Sequence, residues 1–381
     1  MKINSSSNWK IPLYKIYTDE EDFTQITKII KRGNNWAIGP EIEEFENAIK
    51  NYVGVDYCLT LNSGTSALHA AFIAYGFGSG DEIIVPSFSF ISTANSVSFV
   101  GSTPVFGDIE ENTFGLDPKL ITKSISQKTK AVVPMDYGGI SCKINEIKDV
   151  AHNNNLILIE DSAEALGASV NGKKVGSIAD SSIFSFCGNK VLTTGEGGAI
   201  VTNDKAIFEK IKLIRSHGRM DNVRYFENTE QSKYLELGYN WRMSSITAAL
   251  GISQIAKLDK LIKMRQENAS FISQQISKHK QIQVSDNPEN IYQMYSILLE
   301  NNKLRNALQK FLLEKKIFCK IYFQPIHLMD YYIRHFKDEK ISLPMTESVS
   351  ERILTLPLYP NMNNEEKQYL VDSINEFFEN L

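Results

Sequence analysis

The sequence predicts an α/β fold, a mostly parallel sheet between helices, followed by a small C-terminal α+β unit. Three observations carry that expectation. Between about residues 57 and 204, short apolar runs recur with helix-length segments between them. These runs are continuously apolar rather than alternating, as in strands covered on both faces by crossover helices. Beyond about residue 290 the order becomes strand, helix, strand, loop, helix. We read 1–10 as a polar tail, 11–250 as the large unit, and 251–381 as the small unit with its connecting helix.

Taken in order, a helix is predicted over 19–31, stopping at Gly33, and another over 40–52 with Ile42, Phe45 and Ile49 on one face. Strands follow at 57–61, 82–85, 103–106, 131–134, 156–159, 182–186 and 199–202. Helices are expected at 65–75, 144–153 and 205–216, and one long helix over 244–279, where no breaker follows Gly251. The last part reads as strand 291–299, helix 305–316, strand 318–323, a loop to 358 and a final helix from Asn364.

Composition narrows the function classes. The 381 residues are 42% hydrophobic, enough for a sizeable core, and 41 basic against 45 acidic residues give a net charge of −4. No basic block points to nucleic acid. Cys58, Cys142, Cys187 and Cys319 are scattered, without a CxxC or a Cys/His cluster, so neither a metal site nor a disulfide framework is expected. A reduced, cytoplasmic setting fits that usage. The N-terminus lacks an apolar signal core, and no run approaches the ~18 apolar residues of a membrane span.

The chemistry-bearing residues cluster in two stretches. Glu160-Asp161-Ser-Ala-Glu164 ends one apolar run, and Lys190 sits in a small-residue turn after another, ahead of Thr194-Gly-Glu-Gly-Gly198. A carboxylate for a pyridinium nitrogen and a lysine amine for an aldehyde carbon are what pyridoxal phosphate requires. Alone, Lys190 reads as a surface lysine. It is, however, the only cation between Ile183 and Ile200, so we expect a partly desolvated amine that can serve as nucleophile. Upstream, the 59–69 stretch reads as strand, tight turn and helix start. The amides beside Gly64 and the hydroxyls of Thr65 and Ser66 suit an anion, and an ordinary helix cap is compatible with that role. Phe88 and Phe90 follow a strand. Such aromatics are usually core, but at the carboxyl end of a strand one can stack on a flat heterocycle.

Together these motifs resemble the DegT/DnrJ/EryC1/StrS sugar-nucleotide aminotransferases, within the aspartate-aminotransferase-like enzymes of pyridoxal-phosphate fold type I. The resemblance spans nearly the whole chain, from Trp36-Ala-Ile-Gly-Pro40 through Gly238-Tyr-Asn-Trp-Arg-Met243 and Gln324-Pro-Ile-His327 to Leu356-Pro-Leu-Tyr-Pro360. It implies pyridoxal 5'-phosphate linked to Lys190, which also carries protons, and Asp161 on the ring nitrogen. It places Glu164 near the ring hydroxyl, Phe90 on the ring face, and Gly64, Thr65 and Ser185 on the phosphate. Asn240 would reach the phosphate from a neighbouring subunit, which implies a homodimer with shared sites. His327 would lie toward the substrate, and Arg224 could meet a diphosphate or be an exposed loop arginine.

One branch of this family replaces the lysine with histidine and dehydrates its substrate. Lys190 instead implies transamination from glutamate to a nucleotide-linked keto sugar. The Gly-Asn-Lys190 and Ala163-Glu164-Ala wording is similar to that of the GDP-perosamine synthase branch, which implies a 4-keto-6-deoxy sugar. A 3-keto or a UDP- or dTDP-linked sugar, and a non-catalytic regulatory protein on the same fold, remain alternatives. Met135-Asp136-Tyr-Gly-Gly139 departs from the family's common His-x-Tyr-Gly. A nicotinamide-dependent oxidoreductase has no support, since no G-x-G-x-x-G opens a helix after the first strand.

Overall fold

The computed structural model describes residues 9–220, 231–336 and 340–381. The central sheet contains β1 (Tyr57–Leu61), β2 (Glu82–Pro86), β3 (Thr103–Gly107), β4 (Thr129–Val132) and β5 (Ile157–Asp161). After a short hairpin of β6 (Ser169–Val170) and β7 (Lys173–Lys174), it is completed by β8 (Ser181–Ser185) and β9 (Gly198–Thr202). The spatial order is β1-β9-β8-β5-β4-β2-β3. Pairing is parallel from β3 through β2, β4 and β5 to β8, whereas β9 runs antiparallel to both β8 and β1. The carboxyl ends of every strand except β9 therefore share one edge, where open α/β sheets carry their ligand sites.

Apolar strands make this sheet a middle layer. Leu68, Phe72, Ile83, Val85 and Ile200 pack on one face with the helices Gly64–Tyr75 and Lys205–Ile214. Phe45, Phe184, Val201 and Leu258 lie in a cluster on the other side. The second sheet is antiparallel, β10 (Ile282–Val284), β11 (Tyr295–Leu299) and β12 (Ile353–Leu356), in the order β10-β11-β12. It shares a core with the helices Asn302–Glu314 and Asn364–Glu379 through Ile297, Leu308, Leu312, Leu354 and Leu370. Among the described residues, no helix is long and apolar enough to cross a membrane.

Several expectations are corrected. The long helix is two, Ser245–Ala256 and Leu258–Ile276, parted at Lys257 (φ −112°, ψ 7°). Lys257 leaves helical geometry where its amine pairs with Asp19 and, at 2.9 Å, with buried Asp22. Sequence position 250 thus falls inside the first of these helices. The helix Ser92–Phe99, rich in Ser and Asn, was not anticipated. The strand expected from 291 starts only at Tyr295, because Tyr292 is left-handed (φ 52°) and the amides of Ile291 and Met294 bond to Gly139 and Gly138. The strand expected at 318–323 reduces to one bridge between Lys320 and Thr355. The loop expected up to 358 holds the helices Asp330–His335 and Pro344–Arg352 and then β12.

Asp22 joins the helix Glu20–Arg32 to the break at Lys257. Burial alone would raise its pKa, but hydrogen bonds from Ser253, the Asp19 amide, Lys257 and Gln254 outweigh that and hold it below 3.8. A carboxylate lowered in this way stabilises the fold above its unfolded pKa and stops doing so as pH falls through the folded value. Replacing Lys257 by Met strands a buried charge, so it is expected to cost about 3 kcal/mol at pH 7. Urea denaturation should show that deficit shrinking below pH 3.8. An unchanged midpoint at pH 7 would show the pairing to be incidental.

Candidate active site

The site is assembled at the carboxyl edge of the sheet. After β1 the chain turns at Ser63 and enters the helix Gly64–Tyr75. Ser63 Oγ accepts the Ser66 amide at 3.1 Å, which leaves the first-turn amides of Gly64 and Thr65 to face an anion. Antiparallel β9 brings its first residue to the same place, so Leu61, Gly198 and Ser185 lie abreast. A Cβ on Gly198 would stand 2.4 Å from the Ser63 carbonyl and 2.5 Å from Gly64 N. One on Gly64 would stand 3.1 Å from Ser185 Cβ. The cradle is built from backbone approaches that only glycine allows.

Beside it lies the carboxylate centre. Asp161 ends β5 and is 3% exposed. Its Oδ2 accepts the Thr93 hydroxyl at 2.7 Å and its Oδ1 the Ala163 amide at 3.3 Å. Burial raises its pKa, against the pull of Thr93, the Ala163 amide and the positive Lys190. Such a carboxyl gains from a buried cation, which a protonated ring nitrogen supplies. Lys190 Nζ donates to Glu164 Oε1 at 3.3 Å, with both side chains largely enclosed (12% and 7% exposed). Glu164 Oε2 accepts the Gly138 amide at 3.0 Å, so the carboxylate is fixed from its far side.

Two further carboxyls lie behind Asp161. Asp136 takes the Cys142 amide and the Ser162 hydroxyl, each at 2.8 Å, and burial pushes its pKa up to about 6. Glu160 accepts from Gly176 N and Ser182 Oγ, and burial, with Asp136 nearby, drives its carboxyl well upward. Glu160 precedes Asp161 on β5, and the Asp136 amide donates to the Asp161 carbonyl at 3.0 Å.

Other expected residues fall in different surroundings. Phe90 stands half-exposed at the same edge, its ring centroid 6.3 Å from that of Phe323. Asn240 is exposed and runs alongside Ser216, and its carbonyl accepts from Asn62 Nδ2 at 3.4 Å, next to the cradle. His327 does not offer its ring to a ligand, since its side chain is 1% exposed. Nδ1 lies 2.6 Å from Ser87 Oγ and Nε2 lies 3.3 Å from Glu347, so both ring nitrogens are engaged and burial lowers the pKa. The sequence motif marked the residue but not its direction, which is set by Ser87 on the β2 end. Arg224 lies outside the described residues.

Sequence reasoning missed Thr93, Gly138 and Gln293. Thr93 is four residues after Ser89, at helical spacing, and their hydroxyls lie 2.7 Å apart. That spacing was the available signal. Gln293 carried none, because its partners are a hundred residues away.

The chemistry of this donor set fits pyridoxal 5'-phosphate. A buried carboxylate hydrogen-bonded by a hydroxyl and an amide, a lysine amine near it and an amide cradle with no room for a Cβ match its ring nitrogen, its aldehyde and its phosphate.

The sequence profile of the DegT/DnrJ/EryC1/StrS aminotransferase family matches residues 17–375. The chain is 35% identical over 341 residues to a GDP-perosamine synthase of Escherichia coli O157:H7, covering 89% of this chain and 91% of that protein. It is 34% identical to the UDP-4-amino-4,6-dideoxy-N-acetyl-beta-L-altrosamine transaminase of Campylobacter jejuni, covering 93% and 94%. Among solved structures, Helicobacter pylori PseC, an aminotransferase involved in the biosynthesis of pseudoaminic acid, aligns with a TM-score of 0.89 at 30% identity. That alignment covers 97% of this chain and all of the other.

Gly198→Ala tests the cradle. It is expected to keep the far-UV circular dichroism of the parent while weakening calorimetric binding of pyridoxamine 5'-phosphate at least about tenfold, or 1.4 kcal/mol. Undiminished affinity would place the phosphate elsewhere.

Proposed function

The chain belongs to the DegT/DnrJ/EryC1/StrS aminotransferase family, and from that premise we propose that it moves an amino group from glutamate to C4 of a GDP-linked 4-keto-6-deoxy sugar. That it is a pyridoxal-phosphate-dependent aminotransferase of fold type I follows from the family and its structural relatives. The meeting of Asp161, Lys190 and Glu164 beside the Gly64/Gly198 cradle supports the aminotransferase chemistry, and the sugar and nucleotide rest on the names of the relatives.

When bound, pyridoxal 5'-phosphate supplies an aldehyde that takes up the amino group and a conjugated ring that accepts the electron pair left when a proton departs. This chain's residues do the rest. The cradle amides and Ser185 hold the phosphate. Thr93 and the Ala163 amide orient Asp161, whose buried carboxylate keeps the ring nitrogen protonated. Lys190, held here by Glu164, would hold the cofactor's aldehyde carbon, and its free amine would move the proton between the reacting carbons. Glu164 stays in place through Gly138 N and can turn its freed oxygen toward the ring hydroxyl. Phe90 is free to cover one ring face.

The names of the relatives support the finer assignment. The Campylobacter enzyme is named for a 4-amino-4,6-dideoxy product on UDP, and the Escherichia enzyme for GDP-perosamine. A UDP-linked sugar is therefore the second reading. We further propose a cytoplasmic homodimer in which the exposed Asn240 completes the partner's phosphate site, with 11–250 carrying the cofactor and 251–381 closing over it. His327 acts in this scheme through Ser87, and Arg224 stays a candidate for the substrate diphosphate.

Purified protein with pyridoxal 5'-phosphate and glutamate, offered GDP-, UDP- and dTDP-linked 3-keto and 4-keto sugars, should yield an aminated GDP-4-keto-6-deoxy sugar by mass spectrometry. Amination of another member alone would replace the substrate assignment. Lys190→Ala should lose turnover by orders of magnitude while remaining folded. Mixing inactive Asn240→Ala and Lys190→Ala proteins should restore part of the activity, because each hybrid dimer contains one intact site. No recovery would argue for sites that do not share residues.

A further inference from the structure

The backbone on both sides of Lys190 is held by one side chain from a distant part of the chain. The Val191 amide donates to Gln293 Oε1 at 2.8 Å, and Gln293 Nε2 donates to the Asn189 carbonyl at 2.9 Å. Gln293 is buried, and so is the group that holds it. Arg265, on the helix Leu258–Ile276, donates from Nε to the Tyr292 carbonyl at 2.7 Å and from Nη2 to the Gln293 carbonyl at 3.0 Å. Burial lowers the Arg265 pKa only to about 9, so the guanidinium is charged at neutral pH. Charge-assisted bonds of this kind are stronger than neutral ones.

The same segment also reaches the amine of Lys190 by a second route. Ile291 N donates to the Gly139 carbonyl at 3.1 Å and Met294 N to the Gly138 carbonyl at 3.0 Å. A Cβ on Gly139 would lie 2.8 Å from Gln293 N, so the two segments are in direct contact. Gly138 N fixes Glu164, and Glu164 receives the Lys190 amine. Residues 290–294 therefore brace both the backbone and the amine of Lys190. One residue later the chain enters β11 of the second sheet.

We propose that Gln293 is a positioning residue that sets where the Lys190 amine stands, and that residues 290–294 tie its placement to the second sheet. This rests on Lys190 being the residue that captures the cofactor. A lysine displaced by about an ångström by a distant change loses roughly a hundredfold in reactivity, even when its ligand still binds.

The test separates placement from binding. Capture bonds the Lys190 nitrogen to the aldehyde carbon of pyridoxal 5'-phosphate with loss of water, and borohydride then adds hydride to give a stable secondary amine measurable by mass. Pyridoxamine 5'-phosphate has an amine where the aldehyde would be, so it occupies the cradle without reacting with Lys190. Gln293→Leu removes both bonds to the Lys190 flanks. It should slow capture roughly 10- to 100-fold and leave pyridoxamine 5'-phosphate affinity within about twofold. Gln293→Glu keeps the acceptor for Val191 N but sets an oxygen against the Asn189 carbonyl, so its capture should also slow at least about tenfold, and it decides the question if the Leu variant does not fold. Capture at the parental rate in the folded variants, or a parallel loss of pyridoxamine 5'-phosphate affinity, would overturn the inference. Absence of capture at Lys190 in the parent protein would instead overturn the assignment of the lysine itself.

Discussion

A carboxylate buried at the end of a central strand has to be stabilised from every side, and the candidate site is organised around that requirement. Asp161 receives a hydroxyl from the helix after β2 and an amide from its own turn. Behind it, Asp136 and Glu160 are wholly enclosed, which would be prohibitive for charges without partners. The structure answers with Ser162, Ser182 and the amides of Cys142 and Gly176, which leave only Glu160 Oε1 of these carboxyl oxygens without a partner among the described residues. Burial also favours retained protons here, so the three acids need not carry three charges. The polar residues after β5 and within β8 thus serve electrostatics as much as packing.

The antiparallel strand β9 is the second organising element. In a purely parallel sheet the neighbour of β8 would present its carboxyl end at the ligand edge. Reversal of β9 instead delivers Gly198, the amino-terminal residue of the strand, between Leu61 and Ser185. The anion cradle is therefore shared by a helix start and two flanking strands, and its tightness comes from main-chain contact rather than from long side chains. Long side chains would add conformational entropy to be lost on binding.

Much of this was legible in the sequence where signals are local. Continuous apolar runs located all seven strands of the large sheet, to within a couple of residues. Asp161, Glu164, Lys190 and Gly64 stood out because their motifs lie beside those runs. Legibility failed where partners come from afar. The break at Lys257 depends on Asp19 and Asp22. The late start of β11 depends on the Gly138–Gly139 carbonyls, and the engaged ring of His327 depends on Ser87 and Glu347. None of these contacts leaves a periodic trace. The helix Ser92–Phe99 failed for another reason, its polar composition giving little amphipathic contrast.

The pairing of Ser185 with Gly198 has a consequence for ligand choice. The loop bearing Lys190 departs from Ser185 and returns at Gly198, so it begins and ends at the phosphate cradle. Its amine can only sweep a bounded distance from that fixed origin, and Gln293 narrows the sweep further. A compound whose anionic group and carbonyl carbon are spaced as they are across a substituted pyridine ring satisfies both ends together. Inorganic phosphate, which has no carbonyl carbon, could on the proposed reading meet only the cradle and never the far end of that closed loop.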